Sequence, residues 1–147
     1  MLDQILVAVD GSEASKKALE EALSLAEALH AEIHAVHVIE IGLVPQVSMN
    51  TEPIDAVQQS VVAMLEREAD EILEEARRKA AARGIEIGIQ KRWGHPGSEI
   101  VGAAEELGID LIVIGSRGRS RIARILLGSV SSFVVEHASS AVMVARG

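Results

Sequence analysis

The strongest constraint on this chain is its rhythm. Short uncharged runs rich in Val and Ile, at residues 5–9, 33–39, 111–114 and 141–145, alternate with longer stretches patterned at helical spacing. A further run, Ile85, Ile87 and Ile89, alternates with Glu86, Gly88 and Gln90, as a half-exposed edge strand would. Ala14, Ala18, Ala22, Leu25, Ala26 and Leu29 fall on one helical face, with Ser12 placed to cap its start. Val57, Val61, Met64, Leu65, Ala69, Ile72, Leu73, Ala76 and Ala80 mark a long amphipathic helix that Gly84 terminates. Pro96 opens a third helix, Gly108 closes it, and a fourth is expected over residues 129–137. Fully apolar strands alternating with helices belong in a parallel sheet covered on both faces, an open α/β fold. Residues 40–55, with Gly42, Pro45 and Pro53, carry no such pattern and read as a long loop, a candidate lid or contact region.

At 147 residues the chain is expected to form one domain, residues 1–147, with a core of Val, Ile, Leu and Ala. It holds one Phe, one Trp and no Tyr, which argues against a stacking surface for single-stranded nucleic acid. A formal net charge of -8 repels nucleic acid and anionic membranes alike. The absence of Cys removes disulfides, thiolate metal sites and thiol nucleophiles. Asp3 and Asp10 interrupt the first apolar run, so no secretory signal is expected, and no run of ~20 apolar residues offers a membrane span. The expected location is the cytoplasm. The last strand, residues 141–145, has no charge on either face, so it is either central or covered along its edge by another chain.

One segment departs from the acidic background. Four arginines, Arg117, Arg119, Arg121 and Arg124, stand between Leu111 and Val135 with no Asp or Glu. Gly115 follows an apolar strand at its C-terminal end, where α/β folds place ligands. Gly115 and Gly118 allow close backbone approach to an anion, and Gly128-Ser129 opens a helix whose free N–H groups favour phosphate. The alternative is plain: glycines after strands make turns, and arginines on a helix surface are solvated. Neither G-x-x-x-x-G-K-[ST] nor G-x-G-x-x-G is present, which excludes a P-loop and the usual dinucleotide site.

The spacing Gly115-x2-Gly118-x9-Gly128-Ser129 resembles the ATP-binding signature of the universal stress protein family. The opening Ile5-Leu6-Val7-Ala8-Val9-Asp10-Gly11-Ser12 is similar to that family's first strand and its Asp. His37-Val38-Ile39, Gly94-His95-Pro96 and the last strand match further family segments, so the likeness spans the chain. The resemblance implies a five-stranded parallel sheet ordered 3-2-1-4-5, with a ligand crevice where the first and fourth strands part. It implies that Asp10 accepts a hydrogen bond from ribose or reaches a metal through water; otherwise Asp10 is a turn residue capping the first helix. It implies that Ala8 and Val38 line an adenine pocket. Gly115, Ser116, Arg117, Gly118, Arg119, Ser120 and Arg121 would wrap ribose and phosphates, and Gly128, Ser129, Val130 and Ser131 would receive the terminal phosphates. ATP with Mg²⁺ or Mn²⁺ on its phosphates is the implied ligand, in a stress-response homodimer paired through residues 141–145 and acting on an unknown regulatory partner.

The histidines, His30, His34, His37, His95 and His137, show no metal-ligand spacing, and His34 and His37, three apart on one strand, point to opposite faces. Trp93 is expected to pack at the end of the third strand. Two other functions compete with a nucleotide-binding regulator. An ATP hydrolase or adenylyl-transferring enzyme would need a catalytic group, and the glycine segment offers none; no catalytic residue is assigned. A ligand-free module would use the arginines to hold an acidic partner.

Overall fold

A computed structural model describes residues 1–40, 56–117 and 127–146. Its elements alternate as the pattern predicts: β1 (Gln4–Ala8), α1 (Glu13–Leu29), β2 (Glu32–Glu40), α2 (Ala56–Ala82), β3 (Ile87–Gly94), α3 (Pro96–Leu107), β4 (Leu111–Gly115), α4 (Ser129–His137) and β5 (Ala141–Ala145). All strand pairs are parallel, in the order β3-β2-β1-β4-β5. Of the expected loop at residues 40–55, Glu40 is the last residue of β2, and residues 41–55 lie outside the described residues, as does the glycine-arginine stretch 118–126.

Two apolar clusters sandwich the sheet. Ile5, Val7, Ile33, Ala35 and Val113 face one way, under Ala18, Ala22 and Leu23 of α1 and Leu73, Ala76 and Ala80 of α2. Leu6, Val36, Ile112 and Ile114 face the other, under Ile100, Ala103 and Ala104 of α3 and Val134 of α4. Alternate residues of one strand thus serve opposite cores, which is why β1 and β4 read as unbroken apolar runs. Ile5, Leu6, Leu23 and Ile112 are fully enclosed, each worth about 1.5–3 kcal/mol of transfer free energy.

The helix ends follow local chemistry. Ser12 Oγ accepts from Ser15 N–H at 3.1 Å and caps α1 as expected. Gly84 and Gly108 end α2 and α3 with φ of +71° and +65°, a region that Gly enters without steric cost. α1 ends differently, with His30 in the left-handed conformation at φ +53°. At α3 the cap is His95, whose Nδ1 accepts from Ser98 N–H at 3.2 Å, with Pro96 in the first turn. The third strand begins at Ile87 rather than Ile85 and runs on to Gly94, carrying half-buried Trp93 near its end. This edge strand is tied to α3 by Arg92, which bonds Glu99 at 2.9 Å and Glu106 at 2.8 Å. The α3–α4 packing is close: a Cβ on Gly97 would stand 2.5 Å from Cδ1 of Phe133. Phe133 is itself flanked by His95, edge-on at 5.1 Å, and His137, stacked at 4.0 Å. Among the described residues no helix is long and apolar enough to cross a membrane.

Candidate functional site

The strand order places β1 beside β4 and makes the chain reverse direction across the sheet between them. α/β sheets open a crevice at that point, beyond the C-terminal ends of the two strands. Asp10 follows β1 and Gly115 ends β4, so the two segments singled out in the sequence come to one rim.

The β1–α1 turn is closed by its own side chains. Gly11 takes φ +82°, and Asp10 Oδ1 accepts from Ser12 N–H at 2.8 Å. Ser15 Oγ accepts from Asp10 N–H at 3.2 Å. Asp10, half-buried, therefore serves the turn, as one alternative had it, but the residue that caps α1 is Ser12.

Gly115 has a definite steric reason to be glycine. A Cβ there would lie 2.8 Å from the backbone carbonyl carbon of Ala14 and 2.9 Å from its Cβ. The close approach that this glycine permits is that of the first turn of α1. Ser116, buried, donates its N–H to Ala145 O at 2.7 Å. Its carbonyl accepts from Gly128 N–H at 2.7 Å and from Ser131 Oγ at 3.0 Å. Ser131 is 2% exposed, and its hydroxyl also lies 3.0 Å from Gly128 O. One carbonyl thus pins both ends of the intervening stretch and fixes the start of α4 against the end of β4. Ser131 turns inward to make this latch, while Ser129 remains exposed.

α4 begins at Gly128, which has no side chain to cap it, and its first turn carries no acidic residue. The first helical donor with an i−4 partner in that turn is Ser132, to Gly128 O at 2.9 Å. The N–H groups of Ser129, Val130 and Ser131 come before it, in the orphan positions of a helix start. Ala8, Val38 and Val130 all pack on the cluster beneath α3 and α4, so they share one face of the sheet. Arg117 is half-buried beside Ser116. Gly118, Arg119, Ser120 and Arg121 lie outside the described residues. Among the described residues, no three His, Asp or Glu side chains gather to hold a metal ion.

One residue of the rim escaped the sequence reading. His37 is buried, and its Nδ1 lies 2.7 Å from the carbonyl of Val9. A carbonyl only accepts, so Nδ1 carries the proton. The alternation of β2 predicted which face the ring would take, but not the bond across to the turn after β1.

The model of the universal stress protein family matches residues 1–146. The chain belongs to that family. The universal stress protein YxiE of Bacillus subtilis is 36% identical over 152 residues, covering 99% of this chain and 100% of that protein. Among solved structures, the hypothetical protein MJ0577 superposes with a TM-score of 0.85 at 26% identity, covering 100% of this chain and 97% of that one. A universal stress protein in complex with cAMP superposes with a TM-score of 0.70 at 30% identity, covering 97% and 95%. The 3-2-1-4-5 sheet expected from the resemblance is thus the observed one.

Proposed function

We propose that this chain is an adenine-nucleotide-binding regulator in stress response, with ATP as its ligand, rather than a dedicated enzyme. The observation that carries the reading is the α4 start: latched to β4 through Ser116 O, uncapped by any side chain, and free of acidic residues in its first turn. Such a helix end attracts phosphate through its N–H groups and dipole. Asp10 stands at the adjoining strand end, suited to a ribose hydroxyl, and Ala8 and Val38 offer an apolar wall for the base. Arg117, with Gly118, Arg119, Ser120 and Arg121, would follow the phosphates, and Ser116 and Ser131 would hold the frame. The solved relative in complex with cAMP carries an adenine nucleotide, which supports the base and ribose part of the reading.

Mg²⁺ or Mn²⁺ would be held chiefly by phosphate oxygens, with Asp10 contributing through water. The whole chain acts as one nucleotide domain in this reading, in the cytoplasm, as the lack of Cys is compatible with a reducing compartment. Pairing of two copies through β5 is also part of the proposal. Among the described residues β5 pairs with β4 alone, and its five residues carry no charge to block a second strand.

The test is mass spectrometry of whatever leaves the purified protein on denaturation, followed by calorimetry of ATP, ADP, AMP and cAMP on washed protein. Saturable ATP binding is expected, abolished by Gly118→Val. No heat with any of the four nucleotides would refute the reading. Sedimentation should show a dimer that Met143→Lys dissociates.

A further inference from the structure

The ladder between β1 and β2 stops abruptly. Its register advances one residue at a time from Gln4↔Glu32 to Ala8↔Val36. Val9 N–H still donates to Val36 O at 2.9 Å. In a parallel ladder the next bond would run from Val38 N–H to Val9 O. That carbonyl instead accepts from His37 Nδ1 at 2.7 Å, and β1 ends at Ala8.

We propose that His37 is a positioning residue that keeps the β1–β2 fork open, by drawing the Val9 carbonyl toward its ring and out of line with the N–H of Val38. The bond is enclosed, since His37 is 7% exposed and Val9 5%. A hydrogen bond shielded in this way is electrostatically stronger than the same bond in water. Alternation along β2 puts His37 on the face of Ile33 and Ala35, beneath α1 and α2, whereas Val38 and Ala8 pack on the opposite face, beneath α3 and α4. His37 therefore acts from behind the sheet on groups that open in front of it.

Two consequences follow. The N–H of Val38 is turned toward the gap where β1 would have continued, with its carbonyl on the same edge. A backbone edge presenting one donor and one acceptor is complementary to the edge of a heteroaromatic base. The carbonyl one residue before Asp10 is also anchored, which fixes where Asp10 leaves the sheet. The choice of ligand rests on the proposed nucleotide reading; the geometry of the fork does not.

Three variants separate the positions of the donor. His37→Asn keeps an N–H two bonds from Cβ, where Nδ1 stands. His37→Gln places it one bond further out, nearer Nε2. His37→Leu keeps bulk and has no donor. Backbone amide exchange by NMR on the unliganded protein reads the fork directly, and calorimetry with ATP and Mg²⁺ reads its effect on binding. In His37→Leu, Val38 should recover its ladder bond and exchange at least tenfold more slowly than in wild type, while ATP affinity falls about tenfold. His37→Asn should restore both values to within about threefold. Equal Val38 exchange in wild type and His37→Leu would overturn the proposal, as would restoration by Gln but not by Asn. If the wild-type protein binds no ATP, the nucleotide reading fails alone, and Val38 exchange still decides the fork.

Discussion

Two helix starts meet at the C-terminal rim of this sheet, and they are built in opposite ways. The turn from β1 into α1 takes four residues and satisfies itself. Asp10 accepts from Ser12 N–H, Ser12 Oγ accepts from Ser15 N–H, and Glu13 supplies a negative charge in the first turn. The passage from β4 into α4 is longer, and its two described ends are pinned together through Ser116 O. Its helix begins on a glycine, with no acidic residue in its first turn. A helix start with one N–H taken by its own cap and an acidic residue set against its dipole has less left for a phosphate than one with neither. The contrast says which of two nearby helix ends should take the anion.

The largest expected effect breaks the contact between the two regions. Gly115→Val forces a side chain against the Ala14 backbone and should cost about 3 kcal/mol, read as a lower urea midpoint. An unchanged midpoint would mean that α1 does not need that approach. Capping each start differently comes next. Ser131→Ala removes a buried donor from Ser116 O and should cost about 1 kcal/mol and also weaken nucleotide binding. Ser12→Ala should cost about as much, roughly 1 kcal/mol, yet leave ATP affinity within twofold. Equal affinity losses from both would erase the distinction between the two helix starts. Ser129→Asp should then make α4 resemble α1: stability rises by about 0.5 kcal/mol, while ATP affinity falls at least tenfold by calorimetry.

The smallest effect lies away from the rim and serves as a control. The Arg92 guanidinium, hydrogen-bonded to Glu106, holds that carboxyl below its ordinary value. A depressed carboxyl contributes stability above its unfolded pKa and loses it as pH falls through the folded value. Glu106 is largely exposed, so solvent screening keeps the contribution small. Glu106→Gln should flatten the acid limb of a Tm-against-pH curve slightly, without altering nucleotide binding. A change in binding would show that the β3–α3 tie reaches the crevice.

Much of this was legible before any coordinates. Ser12, Pro96, Gly84 and Gly108 mark helix ends through interactions with neighbours a few residues away, and each stands in that role. His30 was not legible as the end of α1: it is exposed, and the helix closes there through backbone bonds, its own N–H and that of Ala31 both donating to Ala26 O. Ser131 looked like one more polar residue at a phosphate-binding helix start; its hydroxyl turns inward because Ser116 O, fifteen residues earlier, lies within reach. Gly115 was marked for its freedom to approach a ligand, but its nearest neighbour is α1.

By itself the sequence determined what depends on short range and on periodicity: five strands, four helices, most of their ends, and an arginine-rich glycine segment without acidic residues. Membership of a known family then implied the strand order, which periodicity alone leaves open. The tertiary structure decided which groups distant in sequence meet at one partner: His37 at the Val9 carbonyl, Gly128 and Ser131 together at that of Ser116. Such meetings are settled by distances between segments far apart in the chain, so no local preference of the residues involved could have announced them.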